Sequence, residues 1–154
     1  MLKLGSFAPE LSIQTDCGWF SITEQIGKKV VVFFFPRADT SGCTKEAIQF
    51  SALGDAFAEA NTVVIGISKD KPARLAEFRS KHNLTCLLGA DDETDICEQF
   101  GVWVKKSIYG KSFMGVQRSS FLIDIDRKII SNWPKVKVDG HAQEVLAAVK
   151  ALRP

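Results

Sequence analysis

The stretch that decides the fold is VVVFFF, residues 30–35, which runs directly into PRADTSGCT, residues 36–44. The first half is β-branched or aromatic and has no polar residue, as is typical of a strand covered on both faces of a sheet. The second half is a polar turn that opens with proline and leads into a segment with helical spacing. A strand, a sharp turn and a helix in this order predict the start of a β-α-β unit.

A second apolar run, TVVIGIS at residues 62–68, supplies the parallel strand that would complete this unit. The segment between the two runs, residues 43–61, predicts one helix with Thr40 or Ser41 as its N-cap. Apolar residues recur there at spacings of three and four, as one buried helix face requires: Ala47, Phe50, Leu53 and Phe57.

The rest of the chain continues to alternate between helical and strand patterns. The predicted elements are a helix at 71–83, a strand at 85–90, a short helix at 91–101, a hairpin at 119–133 and a closing helix at 140–152. Strands and helices that take turns in this way predict an α/β fold with a central mixed β-sheet flanked by helices. With 154 residues and 45% hydrophobic content, we expect residues 1–154 to form a single domain.

Composition excludes several classes of partner. Twenty Lys and Arg residues against 18 Asp and Glu leave a net charge of +2, so neither nucleic acid nor a membrane is an expected partner. The N-terminal residues lack the apolar core of a secretory signal, which predicts a cytoplasmic protein. The four cysteines include no C-x-x-C pair, and we expect them to be free thiols in a reducing compartment.

Other polar residues give weaker signals. His82 and His141 lie far apart, with no cysteine at zinc-ligand spacing, so we expect surface or capping histidines, no metal site and no cofactor. From Lys105 to Arg118 the chain has four basic residues and no acid. This segment either steers an anion or forms a solvated loop.

Cys43 is the candidate nucleophile. A cysteine in the first turn of a helix lies near free backbone N–H groups and the positive end of the helix dipole, and both favour the thiolate. Gly42 allows a close approach to the backbone, and Thr40 offers a hydroxyl to the sulfur or to an incoming oxygen. Pro36 has no N–H and a rigid ring that can close off the end of the strand. Together these residues predict a reactive thiol and not a packing residue.

The pattern P-x-x-x-T-x-x-C formed by Pro36, Thr40 and Cys43 resembles the active-site signature of the peroxiredoxins. SGCTKEA, GVQRSSFLID and VKVDGHAQEVL are similar to the bacterioferritin-comigratory-protein subgroup, also called the Q type, from about Pro9 to Leu152. The resemblance implies a thioredoxin-like fold, and it implies that Arg118 faces the peroxidatic thiolate. One departure is Ser41, which stands where the subgroup usually has proline.

The implied reaction is the reduction of hydrogen peroxide and organic hydroperoxides. The Cys43 thiolate attacks the terminal peroxide oxygen and becomes a sulfenic acid, while water or an alcohol leaves. Arg118, the Thr40 hydroxyl and the N–H groups of Gly42 and Cys43 are the donors expected to stabilise the departing oxygen. Glu46 either orients Arg118 or is a simple exposed acid of the first helical turn.

The resemblance also raises the question of how the sulfenic acid is reduced. Subgroup members with an internal resolving cysteine carry it at the position of Ile48 or near that of Arg79, and neither residue is cysteine here. Cys86 and Cys97 are weak candidates, because each lies in an apolar segment and we expect each to be buried as a small core residue. We therefore expect a one-cysteine mechanism with thioredoxin, glutaredoxin or glutathione as the reductant, in a monomer or weak homodimer.

Two alternatives belong to other classes. A thioredoxin-like disulfide reductase would need the missing C-x-x-C pair. A redox-responsive binding or holdase protein with little turnover would show the same oxidation of Cys43, so the sequence leaves this alternative open.

Overall fold

The computed structural model describes residues 1–152. Its strands are β1 Ser12–Thr15, β2 Gly18–Ser21, β3 Lys29–Phe34, β4 Thr62–Ser68, β5 Leu87–Ala90, β6 Trp103–Ile108, β7 Lys111–Val116, β8 Ser119–Ile123 and β9 Ile129–Trp133. Its α-helices are α1 Ser41–Ala52, α2 Gly54–Glu59, α3 Pro72–His82, α4 Ile96–Gln99 and α5 His141–Ala151.

Seven strands form one sheet in the order β2-β1-β5-β4-β3-β8-β9, and β6 pairs with β7 as a separate hairpin. The strands β3, β4 and β5 are parallel to one another, whereas the pairings at both sides of them are antiparallel. The two apolar runs are therefore central parallel strands, as predicted, and the sheet is mixed.

The alternation of side chains along β3 divides the core into two layers. Val31 and Phe33 point to the face that α1, α2, α3 and α5 cover. Val30, Val32 and Phe34 point to the opposite face, where they pack with residues of α4 and of the N-terminal strands. Both faces of β3 are buried from Val30 to Phe34, which explains why this part of the strand has no polar residue.

A missing side chain on β4 sets how closely α1 lies on the sheet. A Cβ atom at Gly66 would lie 2.4 Å from the Phe33 ring, so the ring can occupy its position only because residue 66 is glycine. The same ring stacks on Phe50 of α1, with centroids 4.4 Å apart. Through the Phe33 ring, Gly66 of β4 thus determines where α1, the helix that carries Cys43, packs on the sheet.

One predicted helix was wrong, and one segment that the sequence left open has a defined structure. The helix expected over 43–61 is two helices, because Leu53 adopts φ −97° and ψ 9° and ends α1 before Gly54 starts α2. The segment before Arg118, for which the sequence left open either an anion-steering role or a solvated loop, forms the hairpin β6–β7. Tyr109 and Gly110 both have positive φ at its tip, which is the geometry of a two-residue hairpin turn.

His141 is not the surface or capping residue that we expected. It is buried at the start of α5, its Nε2 atom lies 2.8 Å from the Ser120 hydroxyl, and its ring meets Phe50 edge to face. Burial lowers the pKa of His141 to about 4. A neutral histidine therefore ties α5 to β8 and α1.

Among residues 1–152, no helix combines the length and the apolar character needed to cross a membrane.

Candidate active site

Hydrogen bonds to two successive residues, Ala38 and Asp39, stabilise the turn between β3 and α1. The backbone N–H of Ala38 donates to Asp70 Oδ2 at 2.8 Å, beyond the end of β4. Asp39 adopts φ 64° and accepts a hydrogen bond from Lys81 Nζ at 2.9 Å, while His82 Nε2 lies 2.8 Å from its other oxygen. The C-terminal end of α3 therefore holds a left-handed residue four positions before Cys43.

The charge of Asp39 is well matched to these partners. Hydrogen bonds from His82 and Lys81 lower the pKa of the Asp39 carboxyl to about 2. Sequence reasoning missed this clamp of Asp39 by Lys81 and His82, because the two partners lie more than 40 positions from Asp39 and form no motif with it.

Thr40 is the N-cap residue of α1, but its side chain does not cap the helix. Its exposed hydroxyl instead donates to the Arg37 carbonyl at 2.9 Å. The hydroxyl oxygen keeps lone pairs that can accept a hydrogen bond. Pro36 is half-buried in a bend two residues after the end of β3.

Cys43 lies in the first turn of α1 with its side chain fully buried. The first helical hydrogen bond runs from the Thr44 N–H to the Thr40 carbonyl. The N–H groups of Gly42 and Cys43 precede that bond, so they belong to the unpaired donors of a helix start. The sulfur therefore lies at the positive end of the helix.

Arg118 lies directly before β8 and contacts this helical turn. Its Nη2 atom donates to Cys43 Sγ at 3.2 Å, and its Nη1 atom donates to Glu46 Oε1 at 2.8 Å. A Cβ atom at Gly42 would lie 3.2 Å from the same Nη2 atom. The lack of a side chain at Gly42 therefore lets the guanidinium lie against the first turn of α1.

Glu46 is not the exposed acid of one sequence alternative, because it is fully buried on α1. Removal from water raises the pKa of Glu46 to about 7, although the positive charge of Arg118 acts in the opposite direction. Its Oε2 atom has no hydrogen-bond partner within residues 1–152. Burial alone would lower the pKa of the Arg118 guanidinium, but Cys43 and Glu46 outweigh burial and raise this pKa.

The other thiols differ in their position relative to Cys43. Cys86 packs in the same core layer, and its sulfur lies 4.0 Å from the Ala47 carbonyl of α1. Cys97 lies in the core layer on the other face of the sheet. Cys17 is exposed. Burial raises the pKa of both the Cys86 and the Cys97 thiol.

The two positions of an internal resolving cysteine hold residues with other contacts. Ile48 is exposed on α1. Arg79 of α3 forms an ion pair with Asp16 and donates to the Cys86 carbonyl at 2.9 Å.

Comparisons with known sequences identify the family of the chain. The model of the AhpC/TSA family matches residues 4–131. A putative peroxiredoxin bcp of Coxiella burnetii is 43% identical over 146 residues, which cover 94% of this chain and 97% of that protein. Peroxiredoxin Bcp of Bacillus subtilis is 41% identical over 150 residues, with 97% and 96% covered.

Solved structures give the same result. The bacterioferritin comigratory protein of Xanthomonas campestris is 33% identical, with a TM-score of 0.88 over 97% of this chain and 96% of that one. A PrxQ mutant of Xylella fastidiosa is 28% identical, with a TM-score of 0.92 over 98% and 97%.

The structural neighbours confirm the thioredoxin-like fold, and the relatives give no support to a redox-responsive binding or holdase protein. The chain therefore belongs to the AhpC/TSA family as a peroxiredoxin of the bacterioferritin-comigratory-protein group, and it is a thiol-dependent peroxidase that reduces hydroperoxides.

Proposed function

We propose that Cys43 is the peroxidatic cysteine of this enzyme and that Arg118 is its main catalytic partner. The observation that carries the proposal is the 3.2 Å hydrogen bond from Arg118 Nη2 to Cys43 Sγ at the start of α1. The cation and the helix start both favour the thiolate, which is the nucleophilic form of the residue.

The thiolate attacks the terminal oxygen of the hydroperoxide. A sulfur–oxygen bond forms, the O–O bond breaks, and the departing oxygen takes a proton to leave as water or an alcohol. Arg118 and the N–H groups of Gly42 and Cys43 stabilise the charge that develops on that oxygen. Each well-aimed donor of this kind is worth about 2.7 to 4 kcal/mol of barrier.

Thr40 and Pro36 shape the site around the thiolate. The Thr40 hydroxyl already donates to the Arg37 carbonyl, so it is free to accept a hydrogen bond from the hydroperoxide OH. This contact orients the peroxide for attack by the sulfur. The half-buried Pro36 ring limits water at the end of β3.

Glu46 acts as a positioning residue. It holds one arm of the Arg118 guanidinium at 2.8 Å, which leaves the other arm directed at Cys43. A planar guanidinium that is fixed at one end loses less freedom when its other end binds the transition state.

The sulfenic acid is reduced by an external thiol, in a one-cysteine mechanism. Neither Ile48 nor Arg79 can form a disulfide, and Cys97 packs on the far side of the sheet from Cys43. Cys86 lies on the near side, where its sulfur is 4.0 Å from the Ala47 carbonyl of α1, and we propose that the helical first turn of α1 keeps Cys43 from forming a bridge to it. Glutathione, glutaredoxin and thioredoxin are the candidate reductants.

The substrates are hydrogen peroxide and organic hydroperoxides. The alkyl peroxide reduction activity of the Xanthomonas campestris relative supports the second class. We propose that the enzyme works in the cytoplasm, where its four free cysteines would stay reduced, and that it is a monomer or weak homodimer.

Treatment with one equivalent of peroxide tests both the site and the mechanism. After free thiols are blocked, intact mass and peptide mapping should find one added oxygen on Cys43 and three blocked cysteines. A stoichiometric Cys43–Cys86 disulfide would overturn the one-cysteine mechanism but keep Cys43 as the nucleophile. Oxidation of another thiol, with Cys43 still blocked as a free thiol, would overturn the site itself.

A further inference from the structure

The two faces of the hairpin β6–β7 carry different side chains. Lys106 of β6 lies opposite Phe113 of β7, so the two side chains share a face. Lys105 lies opposite Met114 and shares the other face with it. Two adjacent lysines thus have different surroundings, although the sequence gives them the same charge.

Lys106 reaches across the hairpin towards the strand that leads to Arg118. A Cβ atom at Gly115 would lie 3.2 Å from Lys106 Cδ, so the lysine stem crosses β7 where that strand has no side chain. The Lys106 ammonium then donates to the Val116 carbonyl at 2.6 Å. Val116 precedes Arg118 by two residues, so the ammonium is bound to the segment that leads into Arg118.

The charges of the site also act on Lys106. Burial lowers the pKa of the half-buried Lys106, the positive charge of Arg118 lowers it further, and Cys43 acts in the opposite direction. The ammonium therefore lies within electrostatic range of both groups. An ammonium carries three N–H donors, and the Val116 carbonyl uses one of them.

Apolar side chains accompany this cation on the same face of the hairpin. Phe113 is 44% exposed, and Ile108, which shares the face, is 55% exposed. An apolar surface beside a half-buried cation suits a molecule that has an alkyl body and an anionic group.

We propose that Lys106 is a specificity-determining residue that binds the carboxylate of an acidic organic hydroperoxide while the hydroperoxide group reaches Cys43. The alkyl body lies along Phe113 and Ile108. The carboxylate takes no part in bond changes, so the reaction at sulfur is the one described above. The inference rests on the proposed role of Cys43.

Matched pairs of substrates test the role of Lys106. Each pair consists of an alkyl hydroperoxide with a terminal carboxylate and the methyl ester of the same compound, and the pairs differ in chain length. For at least one chain length, we expect the wild-type enzyme to have a kcat/KM about fivefold higher for the acid than for the ester, as one partly exposed ion pair provides. High salt should reduce this ratio and leave ester turnover unchanged.

Two variants of the hairpin separate Lys106 from the net charge of the protein. Lys106→Gln removes the charge and keeps a donor for the Val116 carbonyl, and it should bring the acid-to-ester ratio to about one. Lys105→Gln removes the same charge from the other face, and it should keep the wild-type ratio. If Lys106→Gln does not fold, Lys106→Met replaces it, because Met keeps the length of the stem.

The outcomes distinguish the two proposals. A wild-type ratio near one at every chain length, or a ratio that Lys106→Gln leaves unchanged, would overturn the inference while ester turnover still supports Cys43. An equal loss of acid and ester turnover in Lys106→Gln would make Lys106 a general contributor to reactivity, which also overturns the specificity role. If Cys43→Ser consumes the ester as fast as the wild type, the proposed function fails, and the inference fails with it.

Discussion

Replacing Glu46 by Gln should change how the stability of the protein depends on pH. The carboxyl is fully buried, and burial raises its pKa from 4.5 to about 7. A carboxyl whose pKa is higher in the folded protein than in the unfolded chain favours folding when it is protonated. Its contribution is therefore fully present below pH 4.5 and is lost as the pH rises through about 7.

The size of the effect follows from the same pKa values. At about 1.4 kcal/mol for each pH unit, the rise from 4.5 to about 7 amounts to roughly 3 kcal/mol. Domains of this kind are stable by about 5 to 15 kcal/mol, so a change of this size is readily measured. Gln at position 46 has no charge at any pH, so the variant should lack this dependence.

The pH dependence of the free energy of unfolding is measured by urea unfolding, followed by tryptophan fluorescence under reducing conditions from pH 4 to pH 8. The free energy of unfolding of the wild type, relative to that of Glu46→Gln, should fall by roughly 3 kcal/mol across this range. Glu59→Gln is the control, since Glu59 is exposed at the end of α2 and its replacement should give a constant difference. If the free energies of unfolding of the wild type and Glu46→Gln depend on pH in the same way, the inference that Glu46 is a buried carboxyl with a raised pKa is refuted.

Three further outcomes follow from the site. Cys43→Ser should fold normally and show no thiol-dependent peroxide consumption in a coupled assay; turnover above the blank would contradict its role as nucleophile. Arg118→Met should slow sulfenic acid formation in stopped-flow mixing by about two orders of magnitude, and an unchanged rate would exclude Arg118 from catalysis. Asp39→Ala should lower both the melting temperature and the peroxidase rate more than Asp39→Gly, because φ 64° strains alanine but not glycine. Equal effects of the two Asp39 variants would show that the ion pairs alone matter.

The central strands could be predicted from sequence because their signal is local. Residues 30–34 of VVVFFF lie in β3 and TVVIGIS forms β4, and the register pairs Val30 with Val63 in parallel. Runs of this kind occur where helices cover both faces of a sheet, so composition alone identifies them.

The boundary between α1 and α2 could not be found in this way. Leu53 fits the helical spacing of apolar residues, and its side chain packs against the same core layer as its neighbours. The break lies in its backbone conformation, which the spacing does not record. The hairpin β6–β7 had one usable signal, Gly110, next to a tyrosine that is unusual at positive φ.

The position of Cys43 at the start of a helix could be predicted from sequence, whereas the contacts that hold the candidate site together could not. Cys43 precedes Glu46 by three residues on α1, which places both on one side of the helix. The burial of Glu46 depends on Arg118, which lies 72 residues further along the chain. The clamp on Asp39 depends on α3 in the same way. Contacts between distant segments are properties of the assembled fold, and no local pattern encodes them.

The β-sheet divides the three buried cysteines of this protein between its two core layers. Cys43 and Cys86 lie on one side of it and Cys97 on the other. A disulfide between Cys97 and either of the other two can form only after the sheet has come apart, so it records molecules that were unfolded when they were oxidised. In a sample of oxidised protein, the yield of disulfides between Cys97 and Cys43 or Cys86 therefore measures the fraction of molecules that had lost their structure before they were trapped.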